Sequence, residues 1–144
     1  MTRKRVMYAS LGLLAVLALF LDRELYAQER TAETVDFCQL ISQLDKYRGS
    51  RVTLRVRVKI YRHGTSISDQ ACPKQSLLVI ADQAALQTKS LSHFYQFLAE
   101  HRQTNKPIVA TITGRPVSGE DSGFVLKRKV VFKLESVSEI SEGG

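Results

Sequence analysis

The chain has 144 residues, of which 21 are Lys or Arg and 14 are Asp or Glu, so its formal net charge at pH 7 is +7. This length suits one domain with a modest hydrophobic core, and the mild basic excess permits an anionic partner without requiring one. The sequence contains no Gly-x-Ser-x-Gly elbow, no phosphate-binding loop and no obvious carboxylate pair. Its motifs therefore favour a protein without enzymatic activity or cofactor.

Residues 1–27 have the organisation of a secretory signal peptide. A basic start at residues 3–5 precedes an apolar run over residues 6–21, and Ala27 supplies a small residue at the expected cut site. The run of 16 residues is shorter than the roughly 20 that span a bilayer comfortably, so cleavage is favoured over a retained anchor. The prediction is a periplasmic or extracellular protein, with an N-terminal membrane anchor as the alternative.

The two cysteines, Cys38 and Cys72, follow this segment. Export places them in an oxidising compartment, where an even number of cysteines indicates a disulfide. They are not spaced as Cys-x-x-Cys, so we expect the bridge to be structural rather than redox-active.

A helix and a strand are predicted next in chain order. Residues 28–34 are polar and predict a flexible lead-in, whereas apolar residues recur at helical spacing over residues 36–46 and predict a short amphipathic helix. The stretch 51–64 reads RVTLRVRVKIYRHG, and its aliphatic residues alternate with polar or cationic ones up to residue 60. Period-two alternation of this length predicts a strand with one buried face, and His63 and Gly64 then supply a turn.

The remaining pattern predicts two strands, a helix and two strands. The predicted bounds are 65–71, 76–81, 88–102, 108–113 and 124–137, with a bulge near 127–129 and a disordered tail over 139–144. Five strands with a helix between the third and fourth have the order of an OB-fold, a small Greek-key barrel. The prediction for residues 35–138 is thus a mainly β domain with an OB-fold-like five-stranded barrel and an extra N-terminal helix. An open α+β sandwich is the alternative.

A set of short motifs between residues 35 and 82 also carries a resemblance. The motifs are Phe37-Cys38-Gln39-Leu40, Tyr47-Arg48-Gly49, Arg51-Val52-Thr53-Leu54-Arg55-Val56, His63-Gly64, Ile67-Ser68-Asp69 and Cys72. They resemble a group of small exported bacterial proteins that have an OB-like domain. The resemblance supports the fold and the disulfide, and it implies no catalytic residues. Members commonly have a glycine in the first strand where this chain has Arg57 or Lys59.

Basic residues of the first and last strands form the candidate surface for an anionic partner. They are Arg51, Arg55, Arg57, Lys59, Arg62, Lys127 and Lys129. Cations at two-residue spacing can follow a phosphate or sulfate backbone, although they equally suit a solvated strand face that discourages aggregation. A nucleic-acid ligand is not expected, because residues 76–81 offer no aromatic side chain for stacking and residues 118–123 form an acidic loop.

The three histidines do not have metal-ligand spacing, so no metal site is predicted. His63 is a candidate loop contact, because the loop between the first two strands often touches ligand in this fold, or else simply part of a tight turn. The leading hypothesis is an exported, non-enzymatic OB-like domain that binds a protein or an anionic polymer. The alternative is a structural or accessory module of a cell-envelope complex.

Overall fold

The computed structural model of the protein describes residues 31–62, 64–104, 106–120 and 130–143. Within these ranges six strands form one mixed sheet, accompanied by four short helices, so the predicted mainly β class is confirmed. The elements are β1 (Glu33–Thr34), α1 (Phe37–Ser42), α2 (Leu44–Tyr47), β2 (Val52–Tyr61), β3 (Gly64–Ser68), β4 (Leu77–Ile80), α3 (Gln83–Leu86), α4 (Lys89–Glu100), β5 (Ile108–Ser118) and β6 (Val130–Glu142). The predicted signal peptide lies outside the described residues.

The alternating stretch forms β2, the strand on which the core is built. Val52, Leu54, Val56 and Val58 are buried on its inner face, while Arg55 and the other outward side chains reach solvent to different degrees. This confirms the predicted half-buried strand. Aliphatic side chains of β3 to β6 and of α4 pack against the same face and complete one hydrophobic cluster.

Strand pairing follows a defined circuit. β2 pairs with β3, β3 with β4, and β5 with both β2 and β6, all in antiparallel fashion, whereas β4 and β6 are parallel. Starting from β2, the pairings lead through β3, β4, β6 and β5 and return to β2. The two residues of β1 add a short parallel pairing to the start of β2. The last part of the predicted lead-in is therefore attached to the sheet.

The helices begin at side-chain caps. The Asp36 carboxylate accepts hydrogen bonds from the backbone N–H groups of Cys38 and Gln39, and the Thr88 hydroxyl caps α4 by accepting from Leu91. α4 buries Leu91 and two further apolar residues, as its predicted spacing requires. The single helix predicted over 36–46 is instead two short helices, α1 and α2. They are separated at Gln43, whose backbone leaves the helical region.

The last two strands extend beyond their predicted ends. β5 continues to Ser118 instead of residue 113, and β6 continues to Glu142 instead of residue 137. The start of β5 pairs with residues 139–142, so backbone hydrogen bonds order a polar segment that has little apolar alternation. The predicted strand ends are therefore wrong. The segment 124–129 and the bulge predicted within it lie outside the described residues.

Two irregularities in the β5–β6 register leave Glu135 and Ser138 as extra residues on β6. Beside the first of these, the backbone of Gly114 passes so close to β6 that a Cβ atom there would overlap the Lys133 carbonyl oxygen. The same Cβ would lie 2.6 Å from a ring carbon of Phe132. Gly114 is thus required by the close approach of the two strands.

A disulfide joins Cys38 in α1 to Cys72 in the connection between β3 and β4, with the two Cα atoms 5.8 Å apart. The predicted bridge is confirmed, and it is compatible with an exported location. It ties the helical segment before β2 to the connection that follows β3 in the chain. In the described residues no helix is both long and apolar enough to cross a bilayer.

Replacing both cysteines, Cys38→Ala with Cys72→Ala, should lower the free energy of unfolding by about 3–4 kcal/mol, because the open chain gains entropy when it unfolds. Urea denaturation monitored by circular dichroism measures the loss. Reductant should lower the free energy of unfolding of the wild-type protein nearly to that of the variant, and it should leave the variant's value unchanged. Two freely alkylated thiols in the unreduced wild-type protein would contradict the bridge.

Gly114→Ala should lower the free energy of unfolding by about 1–3 kcal/mol, since the added methyl forces β5 and β6 apart. Thermal unfolding measures the change. Gly64→Ala is the control, because a Cβ at Gly64 meets only the end of the Leu78 side chain, at 3.2 Å, which can move aside. Equal losses in the two variants would contradict the close approach at Gly114.

Candidate functional site

The first half of the basic strand is neutralised within the domain. Arg51 Nε lies 2.8 Å from Glu135 Oε2, and Arg55 Nη1 lies 3.2 Å from Glu139 Oε2. Arg115 on β5 donates to the second oxygen of Glu135, at 2.7 Å. These arginines therefore already have carboxylate partners, and this part of the strand is a weaker site for an external anion than its sequence indicates.

The register of the sheet explains these pairs. Arg55 stands opposite Thr111 of β5, and Thr111 stands opposite Glu139 of β6, so three side chains form a row across three strands. The Thr111 hydroxyl donates to the Glu139 carboxylate at 3.0 Å. The register irregularity at Glu135 places its carboxylate between the guanidinium groups of Arg51 and Arg115. Position in the ladder, and not proximity in sequence, brings the charges together.

The second half of the basic strand has no carboxylate partner in the part of the chain that the structure describes. Arg57 donates to the neutral amide oxygen of Gln70 at 2.8 Å, so its positive charge is not compensated there. Lys59 and Arg62 are exposed and have no hydrogen-bond or ion-pair partner among the residues that the structure describes. The unpaired positive charge is thus concentrated where β2 ends.

A groove of about 480 Å³ lies at this end of β2. Its walls come from the last residues of β2, the segment that follows α4, and the start of β5, where Val58 pairs with Ile108. We call it the basic groove, because four of its lining residues are cations: Arg57, Lys59, Arg102 and Lys106. Tyr61 adds an aromatic residue that is 54% exposed.

The carboxylate of Glu142 contacts two lining residues of the basic groove. Its Oε2 atom accepts from Lys106 Nζ at 2.8 Å, and its Oε1 atom lies 3.7 Å from His101 Nε2. The hydrogen bond with Lys106 lowers the pKa of Glu142, and the same contact raises the pKa of Lys106. The His101 ring stacks on Phe97 at a centroid distance of 3.9 Å. Glu142 thus joins the end of β6 to the groove.

A second groove, of about 690 Å³, lies between α4 and β6. The Ser90 hydroxyl spans part of it, because it donates to the Val137 carbonyl and accepts from the Val137 N–H, each at 2.7 Å. His93 lines this groove, whereas His101 lines the basic groove. Within the described ranges no three His, Cys, Asp or Glu side chains form a cluster that could hold a metal ion.

Three of the predicted site residues, His63, Lys127 and Lys129, lie outside the described residues. Arg57 and Lys59 belong to the basic groove, whereas Arg62 follows Tyr61 in the chain and is not one of the lining residues. Sequence analysis missed Arg102 and Lys106, which lie more than forty positions after β2. Their sequence positions, at the end of the predicted helix and just before Pro107, are the only local indication. These positions do not show that the two residues lie near β2, because that depends on how the strands pair.

Comparison with models of protein families, with curated proteins and with solved structures finds no match to this chain.

Glu135→Gln should lower the free energy of unfolding by about 1 kcal/mol, because two partly buried arginines lose their shared carboxylate. Glu139→Gln removes the same charge from the exposed Arg55 pair and should change stability by less than about 0.5 kcal/mol. Urea denaturation at low and high salt measures both. Equal losses, or a Glu135 effect that does not shrink in high salt, would contradict the ion-pair explanation.

Proposed function

We propose that this protein is an exported, non-enzymatic binding domain with an OB-like barrel, and that its ligand is a protein or an anionic polymer. The circuit of strand pairs supports the barrel, since an OB-fold has five strands closed in this way with a helix between the third and fourth. β2 to β6 correspond to the five strands of an OB-fold, so β4 is the third and β6 the last. Their parallel pairing suits a Greek-key path in which the last strand returns beside the third. The disulfide suits export and the resemblance to small exported bacterial proteins.

The observation that carries the binding proposal is the uneven compensation of charge along β2. Arg51 and Arg55 have carboxylates at ion-pair distance, whereas Lys59 and Arg62 at the end of the strand have no carboxylate partner among the described residues. A concave surface lined by one sign of charge concentrates ligands of the opposite sign. The basic groove is therefore the best-supported binding surface, and its location differs from the whole-strand surface inferred from sequence.

The second candidate function is a structural or accessory module of a cell-envelope complex. The paired arginines favour it, because a strand face whose charges are balanced by Glu135 and Glu139 serves solubility and sheet stability without a ligand. Under this function the cations at the end of β2 are solvated, and no anion is bound there.

Retention of the protein on a sulfated resin, eluted with rising salt, distinguishes the two functions. The full chain is expressed and purified as wild type and as the double variant Lys59→Glu with Arg102→Glu. The variant should elute at a clearly lower salt concentration, because the basic groove loses two unpaired cations and gains two anions. A single-stranded DNA resin, run in parallel, tests the expectation that nucleic acid is not the ligand.

The matched control is Lys74→Glu with Lys89→Glu, which makes the same change in net charge at two exposed lysines outside the basic groove. Binding at the groove predicts that the control elutes later than the groove variant. Elution of both variants at the same salt concentration would mean that net charge alone governs retention. The accessory-module function would then be preferred.

A further inference from the structure

The residues that line the basic groove indicate which of the two proposed ligand classes, protein or anionic polymer, fits it better. This inference rests on the proposed binding function. Tyrosine and arginine are the residue types, with tryptophan, that most often carry the binding energy of protein–protein interfaces. The groove has Tyr61, which is exposed, beside Arg57 and Arg102. Aliphatic carbon from Ile60 and Pro107 also lines it, so an apolar side chain has a surface to cover.

The basic groove already accommodates one carboxylate. Glu142 receives a hydrogen bond from Lys106 and approaches His101, so two lining residues hold a side chain of the type that an acidic protein segment presents. Glu142 is in the chain's own last strand, and it leaves Arg57, Lys59 and Arg102 without carboxylate partners among the described residues. These three remain to pair with anions from outside.

The extent of unpaired charge argues against a long polyanion. A polymer that continued along β2 from the basic groove would meet Glu139 and then Glu135, the carboxylates that hold Arg55 and Arg51. Its charged backbone would be repelled by both carboxylates, and Arg55 and Arg51 already have them as partners. A short ligand that ends its anionic contacts within the groove meets no such cost.

We propose that the basic groove binds an acidic segment of a partner protein, with one aromatic or large aliphatic side chain against Tyr61 and carboxylates paired with Lys59 and Arg102. The aromatic contact supplies selectivity, because charge alone would accept any anion of similar density. The carboxylates steer the segment into the groove and orient it. The site is distinct from the strand surface whose charges are satisfied within the domain.

The test uses two short capped peptides in which glutamate alternates with serine, one with phenylalanine at the centre and one with serine there. Binding to the full-chain protein is measured by fluorescence anisotropy. The phenylalanine peptide should bind about tenfold more tightly, as expected for one well-placed aromatic contact. Tyr61→Ser should abolish that preference, while Lys59→Ala and Arg102→Ala should weaken both peptides roughly threefold each.

Matched controls separate the groove from general effects. Leu86→Ser removes another exposed large apolar side chain, and Lys74→Ala and Lys89→Ala remove exposed charges outside the basic groove. These three variants should keep the phenylalanine preference and nearly the full affinity for both peptides. Polygalacturonate, which presents carboxylates on a sugar chain, is measured on the same protein as the alternative probe.

Three outcomes would overturn the inference. Equal binding of the two peptides would exclude the aromatic contact, and an undiminished preference in Tyr61→Ser would place that contact elsewhere. Tighter, Tyr61-dependent binding of polygalacturonate would make the ligand a polysaccharide. If the resin experiment depends on Lys59 and Arg102 while the peptides show no preference, the proposed binding function stands and only the acidic-segment inference fails. If neither resin retention nor peptide binding depends on Lys59 and Arg102, the proposed binding function and the acidic-segment inference both fail.

Discussion

The antiparallel ladders on the two edges of β5 are the constraint on which the rest of the structure depends. On one side β5 pairs with β2 from Val52 to Val58, and on the other with the whole of β6. These ladders bring the inner faces of three long strands onto one core, whose burial is the main favourable term in folding. They also fix every side-chain row on the outer face, because strand register determines which residues stand opposite one another.

The distribution of charge follows from this arrangement. Carboxylates of β6 reach the arginines at the start of β2 across β5, and at the opposite end the ladder joins Val58 to Ile108 and so brings Lys106 near Lys59. In the first half of β2 the positive charges are therefore paired with carboxylates of the domain, and in the second half they face solvent. Partly exposed ion pairs contribute little to stability individually, so their larger effect here is to limit where an external anion can bind.

The sequence predicts the parts of the fold that depend on local pattern. Alternation identifies β2, helical spacing identifies α4, and the two cysteines identify their bridge. It does not predict the end of β6, because residues 138–142 are mostly polar and are ordered by backbone pairing. Nor does it predict which arginines are paired, since Arg55 and Glu139 are 84 positions apart, or where the basic groove lies, since the groove depends on Ile108 meeting Val58. Contacts of this kind depend on register, which hydrophobic periodicity alone does not encode.

The hydrogen bonds of Ser90 have a consequence for how this sheet avoids self-association. β4 pairs with one edge of β6 only at Phe132 and Lys133, so no strand of the described residues lies beside the later part of that edge. The Ser90 hydroxyl satisfies both the N–H and the carbonyl of Val137 within that part. A single side chain thus takes the place of a missing strand at this position. An incoming chain would have to displace it before it could extend the sheet, and this protects the edge against intermolecular β-pairing.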